Sequence, residues 1–96
     1  MTKFILPSPE NKITMYDIDK NQIRITILFK EYFPSIDMEL KININAKEFY
    51  CSFKKRIGRS DILRLGKAAM EELKIKSGQK FQFTKISFNN FHIEKI

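Results

Sequence analysis

Three observations predict a mainly β fold: a small antiparallel pseudobarrel of six or seven strands with one or two short helices. Apolar side chains recur with period two along short segments, as in Met38, Leu40, Ile42 and Ile44 against Glu39, Lys41 and Asn43. Turn signals recur at the spacing of a small barrel or sandwich. The three glycines, Gly58, Gly66 and Gly78, all fall in turns or at a break. The chain has 96 residues, 43% of them hydrophobic, which suits one domain with its own core, residues 1–96.

Taken in order, Lys3 to Leu6 is a short apolar strand stopped by Pro7 and Pro9. Ile13 to Ile18 alternates weakly and reads as a second short strand, and Asp17 to Gln22 is polar and turn-like. In Ile23 to Ile27 the three isoleucines share one face, with Arg24 and Thr26 on the other. Leu28, Phe29, Tyr32 and Phe33 are spaced for one or two helical turns, ended by Pro34. Met38 to Ile44 is a half-buried strand, and Asn45-Ala46-Lys47 turns it into a partner, Glu48 to Lys54, with Phe49, Cys51 and Phe53 on one face.

Arg56-Ile57-Gly58-Arg59 is the next turn. The segment after it allows two readings. Ser60 is the N-cap of one helix to Leu73, or Ile62 to Leu65 is a strand, Gly66 a break and Lys67 to Leu73 a short helix. The second is preferred because a glycine inside a helix costs about 1 kcal/mol relative to alanine. Ser77-Gly78 is a tight turn. Lys80 to Ile86 carries Phe81 and Phe83 on one face, Asn89-Asn90 turns again, and Phe91 to Ile96 closes the chain with Phe91, Ile93 and Ile96.

The formal net charge is +7, which favours nucleic acid or anionic surfaces as partners. A compositional account also exists: Lys, Asn, Ile and Phe are all abundant, as AT-rich genomes tend to encode. Cys51 is the single cysteine, so no intramolecular disulfide forms, and a reducing, cytoplasmic location is expected. The segment MTKFILPSPENK lacks the apolar core of a signal peptide. No apolar run approaches the ~20 residues that span a membrane, so no membrane partner is expected.

The densest chemistry lies between Phe49 and Phe83. Lys54, Lys55, Arg56 and Arg59, with Arg64 and Lys67 behind them, stand against one acid, Asp61. A rigid β-framework that holds out a cationic turn can grip a polyanion, and this reading is preferred to a solvated basic turn without a ligand. Arg64 would then pair with Asp61 at the surface. Cys51 shares a face with Phe49 and Phe53 and reads as a buried small hydrophobe. His92 has no second His or Cys beside it and makes no zinc site. Glu71-Glu72 reads as the solvated side of a helix, and the phenylalanines as core. The sequence offers no phosphate-binding glycine motif, paired catalytic carboxylates, Ser/His/Asp set or metal-ligand spacing, so an enzyme is not expected and no cofactor is implied.

The order of parts resembles the pseudobarrel DNA-binding domain of plant transcription factors, the B-three domain. The same domain serves as a target-recognition module in EcoRII-like and McrBC-like restriction enzymes. The resemblance rests on Arg24-Ile25-Thr26-Ile27, then Phe29-Lys30-Glu31-Tyr32-Phe33-Pro34, then the strand pair Met38–Ile44 and Phe49–Phe53. It continues through the basic turn, Gly66, the short helix and Ile75-Lys76-Ser77-Gly78-Gln79-Lys80-Phe81. About three quarters of the chain is covered. Gln79 stands where the plant pattern has Asp, and no Trp is present.

The resemblance implies two arms that clasp the major groove of double-stranded DNA. The first arm would be Lys20, Asn21, Gln22 and Arg24. The second would be Lys54, Lys55, Arg56, Arg59 and Ser60, with Arg64. Arg suits guanine and Asn or Gln suits adenine, while Lys and Ser suit phosphate oxygens. The expected function is a non-catalytic, sequence-specific target-recognition module of a restriction-modification or nuclease system. It is expected to be the N-terminal part of a longer protein, with a nuclease or motor domain in the same chain or on a partner subunit. The competing readings are a small barrel for single-stranded nucleic acid or RNA, which needs exposed aromatics such as Tyr16 or Phe88 beside the basic surface, and a basic protein-interaction module.

Overall fold

The computed structural model describes residues 2–7 and 12–96. The strands are β1 (Thr2–Leu6), β2 (Gln22–Ile25), β3 (Met38–Ile44), β4 (Lys47–Lys54), β5 (Asp61–Arg64), β6 (Phe81–Ser87) and β7 (Asn90–Lys95). Two short helices, α1 (Met15–Asp19) and α2 (Lys67–Leu73), and a 3-10 helix, Ile27–Tyr32, lie between them. All seven strands join one sheet in the order β1-β6-β7-β3-β4-β5-β2, curled into a nearly closed barrel. Neighbours are antiparallel except β3 and β7, which run parallel. No helix among the described residues is long and apolar enough to cross a membrane.

The strict alternation of β3 gives Leu40, Ile42 and Ile44 to the interior, and its partner β4 contributes Cys51 and Phe53. Aromatic rings fill the barrel. Phe33, just past the 3-10 helix, stacks on Phe91 at 4.7 Å and on Phe53 at 5.5 Å. Phe4 of β1 stacks on Tyr32 at 4.8 Å and on Phe83 at 5.5 Å. The 3-10 helix therefore acts as a plug whose rings reach both β1 and the far strands. Cys51 is buried and its Sγ donates to the Leu65 carbonyl at 3.5 Å. Burial, with Glu39 nearby, pushes its thiol up to about 12, so the thiolate form is scarce.

The chain breaks where Gly66 stands. Its φ of +84° lets β5 stop and α2 begin, and α2 turns Ala69, Met70 and Leu73 inward. Three expectations are corrected. The segment 13–18 is a helix start, not a strand: Thr14 caps α1, its Oγ1 accepting the Asp17 amide while the Asp17 carboxylate accepts the Thr14 amide. Ile27 leaves the inward face because β2 ends at Ile25 and the 3-10 helix starts, so Ile27 is exposed. Ile96 is likewise exposed beyond the end of β7. Pro9, expected to help end the first strand, lies outside the described residues.

The β3–β4 hairpin turns on Asn45 and Ala46, with φ of +50° and +64°. That is the two-residue geometry in which Asn-Gly is favoured, and Ala46 carries a Cβ in the left-handed region. Ala46→Gly is expected to stabilise the protein by about 0.5–1 kcal/mol and raise Tm by a few degrees in a thermal melt. An unchanged or lower Tm would show that the turn carries no such strain.

Candidate nucleic-acid interface

The candidate surface is assembled by the register of three adjacent strands. Across β2 and β5, Gln22 faces Arg64 and Arg24 faces Ile62. Across β5 and β4, Arg64 faces Ser52 and Ile62 faces Lys54. Directly paired residues project to the same side of a sheet. Arg24, Ile62 and Lys54 therefore share one row and Gln22, Arg64 and Ser52 the next; Ile62 and Gln22 are themselves buried, so Arg24, Lys54, Arg64 and Ser52 are the members that reach solvent. The opposite phase, Ile23, Ile25, Leu63, Cys51 and Phe53, is buried in the core. With strands about 4.8 Å apart, the backbones of Arg24 and Lys54 stand roughly 10 Å apart.

The loop between β4 and β5, residues 55–60, is built around a buried carboxylate. Asp61 has a fully buried side chain, and Lys30 and Lys55 approach its two oxygens at 3.4 and 3.2 Å. The Arg56 amide donates to Asp61 Oδ1 at 2.9 Å. Lys30 Nζ also donates to the carbonyls of Arg56 and Arg59, at 2.6 and 2.7 Å, and Arg56 Nε donates to the Ser60 carbonyl at 2.7 Å. The Lys55 amide also donates to Asp37 Oδ1 at 2.7 Å. The loop is thus tied from beneath by Lys30 and from its base by Asp61, with Gly58 at φ +73° allowing the turn at its tip.

These bonds divide the sequence-predicted residues. Lys55 is half-buried and engaged with Asp61, and Arg56 spends Nε inside the loop. Ser60 is half-buried, its carbonyl taken by Arg56. Lys54, Arg59 and Arg64 are exposed and make no ion pair among the described residues. Asp61 and Arg64 are three residues apart on a strand and project to opposite faces. The expected Arg64–Asp61 pair is therefore replaced by Lys30 and Lys55.

The first arm is organised by a second buried carboxylate. Asp17, 1% exposed, binds Arg24 through Nε at 3.0 Å and Nη2 at 3.1 Å, and accepts from Gln22 Nε2 at 3.2 Å. Burial pushes the Asp17 carboxyl up, but the Thr14 amide, Gln22, Arg24 and the Thr14 hydroxyl outweigh it and hold the group below its ordinary 3.8. Gln22 is buried, with its amide committed to Asp17, so it lies beneath the surface. Lys20 is exposed and lies over the Tyr16 ring at 5.7 Å. Asn21 turns the chain at φ +53°, and its carbonyl accepts from the Gly66 amide at 3.2 Å.

Three residues of this region were not anticipated. Lys30 was read only as part of a helical turn, and nothing local reveals that it reaches across 26 residues to the basic loop. Tyr50 and Ser52 lie on the outward phase of β4, beside Lys54. Their signal was available, since placing Phe49, Cys51 and Phe53 inward sends them outward. Tyr50 is exposed and stands opposite Lys41 across the β3–β4 pair. On one flank, Asp37 and Glu39 line a shallow groove with Tyr50, Ser52 and Lys54. They bound the cationic surface on that side.

The fold is similar to a solved structure, the N-terminal domain of Helicobacter pylori LlaJI.R1. The TM-score is 0.73 at 15% identity, covering 100% of this chain and 81% of that one. At that identity the likeness is one of fold. No protein-family model and no curated protein matches the chain.

Lys30→Met keeps the aliphatic stem and removes the ammonium under the loop. The expected result is a loss of about 2–3 kcal/mol in chemical denaturation, since a buried carboxylate loses a partner, with faster amide exchange at residues 55–60. Unchanged exchange there would mean that Asp61 alone holds the loop.

Asp17→Asn is expected to cost about 2 kcal/mol at neutral pH. A carboxyl whose folded pKa lies below its unfolded value stabilises the fold fully above the unfolded value. The difference between wild type and variant should therefore be constant above about pH 5 and shrink as pH falls through 3.8 and below. A difference that persists unchanged at pH 2 would rule the ionised form out as the source.

Proposed function

We propose that this chain is a sequence-specific double-stranded DNA-binding module of the B-three type. On this reading it is the target-recognition part of a restriction-modification or nuclease system, without catalysis of its own. Strand cleavage or translocation would belong to another domain or subunit. The reading rests first on the register that gathers Arg24, Arg64 and Lys54 on one sheet face beside a basic loop held in a fixed shape. Pre-ordered donors lower the entropy cost of binding. The fold similarity to the N-terminal domain of a restriction-system protein supports the context.

The division of labour follows from side-chain chemistry. Arg59 and Arg64 have guanidinium groups that pair with no acid among the described residues and suit two-point contacts with guanine. Lys54 and Lys20 are point charges suited to phosphates. Arg24 keeps donors beyond the two that hold Asp17. A second reading, single-stranded nucleic acid, draws on exposed Tyr16, Tyr50 and Phe88, aromatic faces on which bases stack.

Fluorescence anisotropy with labelled random-sequence duplex and single-stranded DNA, across a salt series, separates the two. Tighter duplex binding with a steep salt slope is expected, followed by selection of a target site. On that site, Arg59→Ala should lower affinity and relax sequence preference, with Arg56→Ala doing the same. Lys54→Ala should weaken all sequences alike and reduce the salt slope by about 1. Equal losses on every sequence for all three variants would remove base reading. Preference for single strands would favour the second reading, and no binding at low salt would refute both.

A further inference from the structure

Ile57 stands at the tip of the 55–60 loop and is 97% exposed. It is the most exposed of the large hydrophobic residues described. An isolated apolar side chain on a surface usually needs no explanation. Here the surroundings call for one. The backbone on both sides is fixed: the Arg56 amide is bound to Asp61, and the Arg56 and Arg59 carbonyls both accept from Lys30. The loop does not fold the side chain back against the barrel. Gly58 follows it at φ +73°, with no atom beyond its chain neighbours within 4 Å of where a Cβ would stand. Arg56 and Arg59 flank it in sequence, and Lys54 lies at the base of the same loop.

We propose that Ile57 is an apolar wedge that enters between stacked base pairs of duplex DNA where the basic loop meets it. The proposal rests on the duplex-binding reading above. Wedges of this kind are apolar side chains, isoleucine among them, inserted at a base step by proteins that also contact the DNA through Arg and Lys, and a side chain held in one conformation loses less freedom on insertion. Ile57 meets each condition: it is branched at Cβ, which restricts χ1, it stands on a backbone tied at both ends, and it lies between two arginines. An anionic membrane also attracts a basic loop with an apolar tip. A single isoleucine, without Trp or Phe beside it, buries too little apolar area to anchor a protein there, whereas one side chain is sufficient to open one base step.

The test compares an intact duplex with one of the same sequence carrying a central abasic site, where a step is already unstacked. Wild type is expected to bind the abasic duplex about tenfold more tightly, because the unstacking cost is removed. Ile57→Ser should bind both duplexes equally, with an unchanged salt slope and an unchanged Tm, since the side chain touches no core. Ile57→Leu should restore the preference. A 2-aminopurine at the contacted step should brighten with wild type and stay quenched with Ile57→Ser. If wild type binds both duplexes equally and the probe stays dark, the wedge is overturned while duplex binding stands. If no duplex binding occurs at low salt, the underlying reading falls and the wedge with it. Ile57-dependent binding to phosphatidylserine vesicles without a preference between duplexes would assign the tip to a lipid surface and overturn the wedge.

Discussion

A carboxylate removed from water must be given donors, and the Asp61 side chain, with no exposed surface, takes them from the loop it anchors. Lys30 and Lys55 supply charge, and the Arg56 amide supplies a directed hydrogen bond. Lys30 extends the same interaction to two carbonyls of the loop. One buried acid thereby converts a run of mutually repelling cations, which would spread apart on its own, into a single shape. The exposed cations that remain, Lys54, Arg59 and Arg64, project from a frame set by those that are consumed. Asp17 does the same for the first arm, where it orders Arg24 and Gln22 and caps its own helix.

This arrangement produces two grades of cation. Lys54, Arg59 and Arg64 keep their full charge toward solvent, so their attraction for a polyanion is long-ranged and screened by salt. Arg24 is partly neutralised by Asp17 and contributes less to that field. It remains 41% exposed, and its planar guanidinium is held by two hydrogen bonds, so its remaining donors point in a fixed direction. Unpaired charge and a guanidinium fixed in direction by a buried acid are thus found on different residues. A purely electrostatic binder would not need the buried acids, which reduce its net charge.

How much of this was legible in the sequence depended on whether the deciding interaction was local. The β3–β4 hairpin was legible because Met38 to Ile44 alternates without a break and one face is buried. Gly66 was legible because a glycine inside a helix is unfavourable while a glycine between a strand and a helix is not. The segment 13–18 misled because Ile13 and Ile18 frame a weak alternation that also fits a short helix. Thr14 with Asp17 three residues on was the stronger signal, and it decides the element. At the site, the basic loop was conspicuous but its internal order was not. Lys30 lies 26 residues before Arg56 and 29 before Arg59, and only the folded barrel brings them together. Polarity and its place in the first arm put Gln22 at the surface in the sequence, but it is buried against Asp17, which lies on a helix where weak alternation predicts a strand.

The two arms are joined by one short ladder, and this sets what they can grip together. Gln22 pairs with Arg64 at one end and Ile25 pairs with Asp61 at the other. Three residue steps separate those ends, about 10 Å along the strands. The turn at Lys20 and Asn21 lies just beyond the first end, and the 55–60 loop just beyond the second. The Gly66–Asn21 hydrogen bond ties the first turn to the end of β5, so both arms are fixed to the same strand. The ladder holds the bases of the two arms at one separation. A ligand that meets both must bring its own features to a spacing of a little more than 10 Å. The major groove of B-form DNA, about 12 Å wide, has that scale, and the minor groove, about 6 Å wide, does not. On the duplex-binding proposal, the ladder's length would suit the major groove, independently of which bases the exposed arginines would meet.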